Sequence, residues 1–565
     1  MISERNWVTG VSRAVSLREL KSAASGSRST SFPSRWLRLA GAIGAALFLL
    51  GAGPTRAQAQ AYSVVHSFSG SDGKFITGGI VADSAGNLYG TTNAGGSSSL
   101  GVVFELNASN GYAETILHTF AAYPSDGSNP YAGLLIDSSG NLYGTTVSGG
   151  ACGQGTVFEL TASNNYAETL LYSFGGSLCS SSDAAYPYAG LVRDSSGDLF
   201  GTTTYGGSSN NGAVFELTPS GGGYNESVLH SFQGPPSDGQ YPQAGLAFDS
   251  SGNLYGTTVY GGSSLSSYGV VFELTASSGY TSESVLHNFS GLDGVNPYGS
   301  LVVDSSGKVY GTTLDGGPSG LGEVFELDAS NSYALTVLDS FAAPTSDGSF
   351  PYDGLFADSS GNLYGTTSLG GSSDYGVVFE LNKSNGYAET ALHSFAGPPG
   401  DGAGPVAGIT QDTLGNLYGT TKSGGSSNLG TAFKIATAVP FASLTATLNV
   451  TGGTSPGFNL KADFTLGSGS PGIDPPTQAL TVQIGSYTLT IPAGSFQALP
   501  HGKFNYSGTV NGVAVSAQLV TTGPGAYSLH VSGTGVDLTG LPSPVTITIT
   551  IGDNTGSTLD PGHSG

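Results

Sequence analysis

Short apolar runs separated by Gly, Ser, Asn and Asp return along most of the chain in one regular pattern. Each unit contains Leu-Tyr-Gly-Thr-Thr or a close variant, followed after a Gly/Ser loop by Val-Phe-Glu-Leu or a close variant. Runs of this kind, rich in β-formers and bounded by turn residues, are typical of strands. The first run begins seven times, at Leu88, Leu142, Leu199, Leu254, Val309, Leu363 and Leu417.

A fourth apolar run completes each unit. It ends in Ser-Phe or a close relative, as in Ile116–Phe120, and a hairpin signal such as Asn110-Gly111 joins it to the third run. Units of four antiparallel strands repeated seven times predict a seven-bladed β-propeller over residues 62–437. The alternative is a β-solenoid, which would need atypical capping repeats that the sequence does not contain.

The two ends of the repeat array complement each other. The last unit stops after its third strand near Ile435, and an unmatched fourth-type strand, Tyr62–Phe68, precedes the first complete unit. We expect this N-terminal strand to complete the last blade, because that arrangement closes the ring and removes an exposed sheet edge.

The pattern changes after Val439. Alternating runs such as Val545–Ile551 place Val and Ile on one face and Thr on the other, and eight runs of this kind predict short strands. Residues 438–551 are therefore expected to form a β-sandwich, and the polar residues 552–565 a flexible tail.

Residues 1–61 differ in composition from the rest of the chain. They carry eight of the 16 Lys and Arg residues, and an apolar run, Leu39–Gly53, is followed by small residues at Ala57–Ala61. This order is typical of a secretory signal peptide. The apolar run is shorter than the roughly 18 residues of a membrane span, so we expect a protein that is secreted or held at the cell surface.

Charge and cysteine content narrow the choice of partners. Removing residues 1–61 leaves 8 Lys and Arg against 37 Asp and Glu, a net charge of −29. Nucleic acids and anionic membranes attract proteins through clustered Lys and Arg, which this chain lacks, so neither is expected as a partner. We also expect that the mature chain does not insert into a membrane and that it is a monomer. The two cysteines, Cys152 and Cys179, are expected to form a disulfide, the alternative being two unpaired loop thiols.

The repeated Leu-Tyr-Gly-Thr-Thr, Val-Phe-Glu-Leu and Asp-Ser-Ser-Gly-Asn motifs resemble the GloVer-type tandem repeats of bacterial exported proteins. The fragment Asp-Ser-Ser-Gly-Asn-Leu-Tyr-Gly is also similar to NHL-type propeller repeats. The resemblance covers about residues 62–437 and implies the architecture. It implies no catalytic residues.

The loops between blades carry a recurring Asp, which makes them candidate ligand-binding loops on one rim of the propeller. A ring of carboxylates offers oxygen ligands to Ca²⁺ or to a sugar. The alternative is that each Asp caps its own turn through a hydrogen bond to the backbone. The candidate residues are Asp72, Asp126, Asp238, Asp293, Asp347 and Asp401.

No catalytic or metal-binding constellation emerges from the remaining motifs. The Gly-x-Ser-x-Gly match at 453–457 lacks the strand-to-helix context of a nucleophile elbow, and Pro456 has no N–H for an oxyanion. Five histidines share one position in the fourth strand of different blades and cannot share a metal, so they indicate a tolerant position near the outer edge. They are His66, His118, His230, His287 and His393.

The sequence thus favours an exported, non-catalytic binding or scaffolding protein whose propeller rim binds a glycan or a surface protein. One alternative is a carbohydrate-active hydrolase or lyase that uses residues found in one blade only, and another is a purely structural component of the cell surface. The residues that depart from the repeat in this way are Arg193, Lys308, Asp315, Glu323 and Asp353.

Overall fold

The computed structural model describes residues 61–560, except 122–123, 177–178, 180–182, 222, 264–266, 343–346, 437–438, 468–472, 477, 486, 539–540, 542–544 and 553. The predicted signal peptide, residues 1–61, lies outside this part apart from Ala61. None of the described residues belongs to a helix long and apolar enough to cross a bilayer.

The described residues of the repeat region form seven four-stranded antiparallel sheets, here called sheets 1 to 7 in the order of the repeats. Their strands are, in sheet 1, Val81–Ala82, Leu88–Thr92, Val102–Asn107 and Ala113–Thr119; in sheet 2, Leu135–Ile136, Leu142–Thr146, Thr156–Thr161 and Ala167–Ser173; in sheet 3, Val192–Arg193, Leu199–Thr203, Ala213–Ser220 and Gly223–Ser231; in sheet 4, Ala247–Phe248, Leu254–Thr258, Val270–Leu274 and Glu283–Asn288; in sheet 5, Val302–Val303, Lys308–Thr313, Glu323–Asp328 and Ala334–Ser340; in sheet 6, Phe356–Ala357, Leu363–Thr367, Val377–Asn382 and Ala388–Ser394; and in sheet 7, Thr410–Gln411, Leu417–Thr421, Thr431–Ala436 and Ala61–Ser67.

Short elements connect these sheets. Five 3₁₀ turns among the described residues join third to fourth strands, at Ala108–Asn110, Ala162–Asn164, Ala276–Ser278, Ala329–Asn331 and Lys383–Asn385. Five two-residue ladders pair the loop before a sheet with the loop after its second strand, namely Gly127–Ser128 with Ser148–Gly149, Ala184–Ala185 with Tyr205–Gly206, Gly239–Gln240 with Tyr260–Gly261, Gly348–Ser349 with Leu369–Gly370, and Gly402–Ala403 with Ser423–Gly424.

Sheet 7 takes its outermost strand from the start of the described chain. Ala61–Ser67 pairs antiparallel with Thr431–Ala436, with Val64 opposite Phe433. Phe68, which follows this strand, is completely buried, and it packs in one apolar cluster with residues of the first and the last repeats. Residues more than 360 positions apart in the sequence are thus joined in one sheet.

A glycine and a phenylalanine face each other at the centre of every sheet. In sheet 4, Gly256 lies opposite Phe272, and Phe272 is completely buried. A Cβ atom on Gly256 would stand 2.5 Å from the Phe272 ring and 3.0 Å from Leu246. The close approach of the ring therefore requires the glycine, although glycine is a poor strand former.

Replacing Gly256 by Ala is expected to destabilise the protein by about 1–3 kcal/mol, because the added methyl group overpacks a closed core. A lower urea midpoint at unchanged m-value would show the effect. Gly223→Ala is the matched control, since Gly223 also lies in a strand and nothing stands within 4 Å of its Cβ position. Equal midpoints for the two variants would contradict this account.

Successive sheets are joined by one repeated hydrogen bond. The first Thr of each Leu-Tyr-Gly-Thr-Thr run is buried and donates through Oγ1 to a backbone carbonyl of the next repeat. Thr91 donates to Ala132 at 2.7 Å, for example, and Thr420 of the last repeat donates to Gly78 of the first at 3.0 Å. Buried hydroxyls need such partners, so each one fixes a sheet against its neighbour.

The C-terminal residues form two further sheets. A six-stranded sheet orders Ser443–Thr451, Gly457–Thr465, Ala526–Thr534, Val513–Gly523, Lys503–Val510 and Gln497–Leu499, and a five-stranded sheet orders Val439–Pro440, Asn554–Asp560, Val545–Ile551, Leu480–Ile484 and Tyr487–Ile491. Apolar side chains of both sheets, such as Leu460 and Ile549, belong to one buried cluster.

The segment expected to be a flexible tail from residue 552 contains a strand. Asn554–Asp560 pairs antiparallel with Val545–Ile551 and parallel with Val439–Pro440, so that expectation is wrong for these residues. The physical reason is that Val545–Ile551 is an apolar strand, and its free edge is paired by the polar segment that follows it.

Candidate functional site

All seven repeats contribute to one cavity of about 290 Å³. Each repeat supplies residues at and before the start of its first strand, such as 131–134 and 188–192. Glycines let these loops approach one another closely, since a Cβ atom on Gly78 would meet the backbone of Ala132 within 2.4 Å. A concave pocket shared by every repeat is the default place for a ligand.

Four tyrosines line this cavity. Tyr131 and Tyr188 meet edge to face with ring centroids 5.2 Å apart, and Tyr298 and Tyr352 stack at 5.0 Å with an interplanar angle of 17°. Burial, with the neighbouring Tyr260, raises the pKa of Tyr298 to about 12. Burial likewise raises the pKa of Tyr188 and of Tyr352. The cavity therefore offers apolar ring faces together with neutral hydroxyl groups that donate and accept hydrogen bonds.

Asp353 is the one carboxylate among the described residues that line the cavity. Its two oxygens accept hydrogen bonds from the backbone N–H groups of Gly354 and Gly408, each at 2.7 Å. Burial raises the pKa of Asp353 in spite of these bonds. The equivalent position in the other six repeats holds Ala or Gly, so Asp353 is a departure from the repeat that lies in the cavity lining.

The other departures from the repeat lie outside the cavity lining. Glu323 accepts a hydrogen bond from Ser340 at 2.9 Å, and Asp315 forms a backbone bridge with Val295. The two basic side chains among these departures form ion pairs with carboxylates. Arg193 lies 3.6 Å from Asp137, and Lys308 pairs with Glu326.

The recurring Asp residues of the inter-sheet loops cap their own turns. Asp126 is buried and accepts from the backbone N–H groups of Ala121 at 2.7 Å and Gly127 at 2.6 Å. The other five candidates accept in the same way from backbone N–H groups of their own loops: Asp72, Asp238, Asp293, Asp347 and Asp401. The contacts match the capping alternative, and the structure distributes these side chains over separate loops.

Each of three such Asp residues also belongs to a His–Asp–Glu cluster that the sequence analysis missed. In one of these clusters, the His118 Nε2 atom lies 3.3 Å from a carboxylate oxygen of Asp126 and 3.6 Å from one of Glu168, and Glu168 belongs to the next repeat. The clusters are His66 with Asp72 and Glu114, His118 with Asp126 and Glu168, and His230 with Asp238 and Glu283. The histidine position is therefore a contact between sheets. A recurring Glu at the start of the fourth strand was the only sequence signal.

A disulfide joins Cys152 and Cys179, the two cysteines paired in the sequence analysis. It links the loop after the second strand of sheet 2 to the loop that follows this sheet, across 27 residues. The described residues contain no free cysteine.

Comparison with known protein families identifies the repeat. The model of the Gloeobacter/Verrucomicrobia repeat matches residues 55–267 and 249–468, which together span the whole repeat region. The chain belongs to the Gloeobacter/Verrucomicrobia repeat family. No curated protein matches this repeat protein.

Solved structures resemble the Gloeobacter/Verrucomicrobia repeat protein only distantly. A candidate 6-phosphogluconolactonase from Bacteroides uniformis is 15% identical, with 61% of this chain and 90% of that chain covered and a TM-score of 0.40. An ulvan lyase, a polysaccharide lyase, is 9% identical, with 64% and 94% covered and a TM-score of 0.39. Similarities this low support no statement about the activity of this chain.

Proposed function

We infer that the seven sheets are the blades of a closed seven-bladed β-propeller and that the two C-terminal sheets pack as a β-sandwich. Two contacts support closure: Ala61–Ser67 pairs within sheet 7, and the Thr420 hydroxyl donates to Gly78 in the same way as the other inter-repeat threonines. The shared apolar cluster of the two C-terminal sheets supports the sandwich.

We propose that this protein is an exported, non-catalytic carbohydrate-binding protein and that its cavity holds the sugar. The observation that carries the proposal is the combination of four tyrosine rings with the single carboxylate of Asp353 around a cavity of about 290 Å³. Sugar rings present C–H faces that pack on aromatic rings, and their hydroxyl groups bond to phenol and carboxylate oxygens. A mostly apolar pocket with a few convergent polar groups suits this chemistry.

The charge of the chain indicates the class of sugar. With the leader removed, the net charge is −29, and no Lys or Arg is among the described residues that line the cavity. An acidic polysaccharide would be repelled, and its carboxylates or sulfates would find no cation there. We therefore propose a neutral carbohydrate as the ligand.

A hydrolase is the competing function. Most glycoside hydrolases use a pair of carboxylates on opposite sides of the scissile bond. Asp353 has no second carboxylate beside it among the described cavity residues, which supports binding rather than hydrolysis. The predicted signal peptide and the disulfide support an oxidising, extracytoplasmic location.

Affinity gel electrophoresis with soluble polysaccharides tests the proposal. We expect at least one neutral polymer among xyloglucan, galactomannan, xylan, mixed-linkage β-glucan and dextran to retard the protein, and alginate and polygalacturonate to leave it unretarded. The double variant Tyr298→Ala/Tyr352→Ala should weaken binding by at least about tenfold, because it removes the stacked pair of rings from the cavity.

Tyr375→Ala is the matched control, since Tyr375 is an exposed aromatic that is not part of the cavity lining. Thermal melts of both variants separate loss of binding from loss of folding. Retention of wild-type affinity in the cavity variant, or the absence of retardation by every neutral polymer, would overturn the proposed function.

A further inference from the structure

Four tyrosine rings follow one another in single file along the loops of sheets 3 and 4. The centroids of Tyr186 and Tyr205 lie 5.8 Å apart, those of Tyr205 and Tyr241 5.1 Å, and those of Tyr241 and Tyr260 6.2 Å. We call these four residues the aromatic strip. Tyr205 and Tyr260 are 39% and 41% exposed, so the strip presents apolar surface to solvent.

The fold does not require the two exposed rings of the strip. Tyr205 and Tyr260 occupy the same repeat position, directly before the Gly-Gly that follows the second strand, and tyrosine stands there in these two neighbouring repeats alone. The other five repeats place unrelated residues at that position: Ala94, Ser148, Asp315, Leu369 and Ser423. An exposed aromatic cluster confined to one sector, without a role in the repeat, indicates an interaction surface.

The strip is continuous with the cavity. Tyr205 pairs with Ala185 and Tyr260 with Gln240, which places each ring beside the loop that runs on into the cavity lining. Tyr188 of the cavity follows Tyr186 by two residues. Burial, Tyr131, Tyr205 and Tyr186 together raise the pKa of Tyr188, and burial and Tyr260 raise that of Tyr298, so strip and cavity side chains lie close to one another. One tyrosine-lined path therefore leads out of the cavity and across the neighbouring loops.

We propose that the aromatic strip is an extended subsite that binds successive sugar units of a neutral glycan chain whose remaining units occupy the cavity. The proposal rests on the proposed function and adds that the ligand is a polymer. The spacing of the rings is close to the length of one sugar unit, and each ring carries a hydroxyl group beside its apolar face. A linear chain of sugars fits a file of single rings, and the strip is continuous with a cavity of the same chemistry.

Rigid placement of the rings favours this occupant as well. Tyr186 and Tyr241 hold positive φ values of 59° and 56°, and the equivalent position holds Phe75 and Phe350 in two other repeats and Asn or Gly in the remaining three. This turn thus holds an aromatic ring in four of the seven repeats, although a bulky side chain is uncommon in this conformation, and the ring carries a hydroxyl group in these two adjacent repeats. The four rings also pack against one another, and rings that are already packed lose little side-chain entropy when a ligand binds.

Isothermal titration with a disaccharide and a hexasaccharide tests this inference, both prepared from the neutral polysaccharide that most retards the wild-type protein. We expect the hexasaccharide to bind at least about tenfold more tightly than the disaccharide, because further contacts with ring faces, ring edges and phenol hydroxyls form along the strip. Tyr205→Ala/Tyr260→Ala should remove this difference and leave disaccharide binding unchanged. Leu369→Ala is the matched control, since Leu369 fills the same repeat position in sheet 6 and is 43% exposed.

The outcomes separate the two proposals. Equal affinity of wild type for both oligosaccharides, or a strip variant that keeps the chain-length difference, overturns the subsite and leaves the cavity function standing. If Tyr298→Ala/Tyr352→Ala binds both oligosaccharides like wild type while the strip variant does not, the strip is a glycan site and the cavity function fails. Failure of every neutral polysaccharide to bind the wild-type protein overturns both.

Discussion

Deleting residues 61–68 is expected to abolish the cooperative folding of the repeat region. These residues supply the outermost strand of sheet 7 and Phe68, which is completely buried. Removal of one buried phenylalanine ring costs about 3–5 kcal/mol, and the deletion also removes six residue pairings, whereas whole proteins are stable by only about 5–15 kcal/mol. Thr431–Ala436 would then be an uncovered strand edge, which promotes aggregation.

Near-ultraviolet circular dichroism and thermal melts of two truncated chains, one beginning at Ala61 and one at Ser69, measure the effect. The shorter chain should lose its sharp melting transition and elute as aggregates from a sizing column. A synthetic peptide of residues 61–70 should restore the transition, and the same peptide with Phe68→Asp should not. A chain beginning at Ser69 that melts cooperatively within a few degrees of the longer one would contradict the role of this strand.

The strands were readable from the sequence because each depends on local signals. Leu88–Thr92 and Val102–Asn107 carry β-formers and are bounded by turn residues, so their type and order follow from pattern alone. The glycine inside the first of these strands was not explained at that level. Its reason, the Phe104 ring opposite Gly90, becomes visible only when the two strands are placed in register.

The candidate site was less predictable because it is built from contacts between repeats. Asp353 stands out in the sequence as a departure from the repeat, but its place in the cavity depends on how the sheets are arranged. Tyr131 and Tyr352 are far apart in the sequence and are neighbours in the cavity. The recurring Asp residues allowed two roles at the sequence level, ligand binding and turn capping, and only the structure shows that they accept hydrogen bonds from the backbone of their own loops.

Five glutamates at the start of fourth strands have pKa values far above the ordinary 4.5. Burial raises the pKa to about 8 for Glu114 and Glu389 and to about 7 for Glu168, Glu226 and Glu283. Burial alone would lower the pKa of His118, but its hydrogen bond to Asp126 and the charge of Glu168 raise it. Burial alone would raise the pKa of Asp126, but His118 and the backbone N–H of Ala121 lower it.

Melting temperature is therefore expected to be highest on the acidic side of neutrality and to fall as the pH rises from 6 to 9. A glutamate whose pKa is higher in the folded state stabilises that state fully below its unfolded pKa of 4.5, and this contribution is lost as the pH passes 7 to 8. The raised pKa of His118 acts in the same direction. The lowered pKa of Asp126 acts in the opposite direction and matters only as the pH falls below 3.8.

The expected fall is about 10 °C, because five partly screened groups contribute about 1 kcal/mol each and one kcal/mol shifts the transition by about 2 °C in a domain of this size. Differential scanning calorimetry between pH 5 and pH 9 measures it. Replacing all five glutamates by Gln should flatten the profile above pH 6, since the amide cannot ionise where the carboxyl does. Asp463→Asn is the control for a lost negative charge, because the Asp463 side chain is 56% exposed. A five-fold variant whose melting temperature still falls like that of wild type would show that these buried carboxyls do not cause the loss of stability above pH 6.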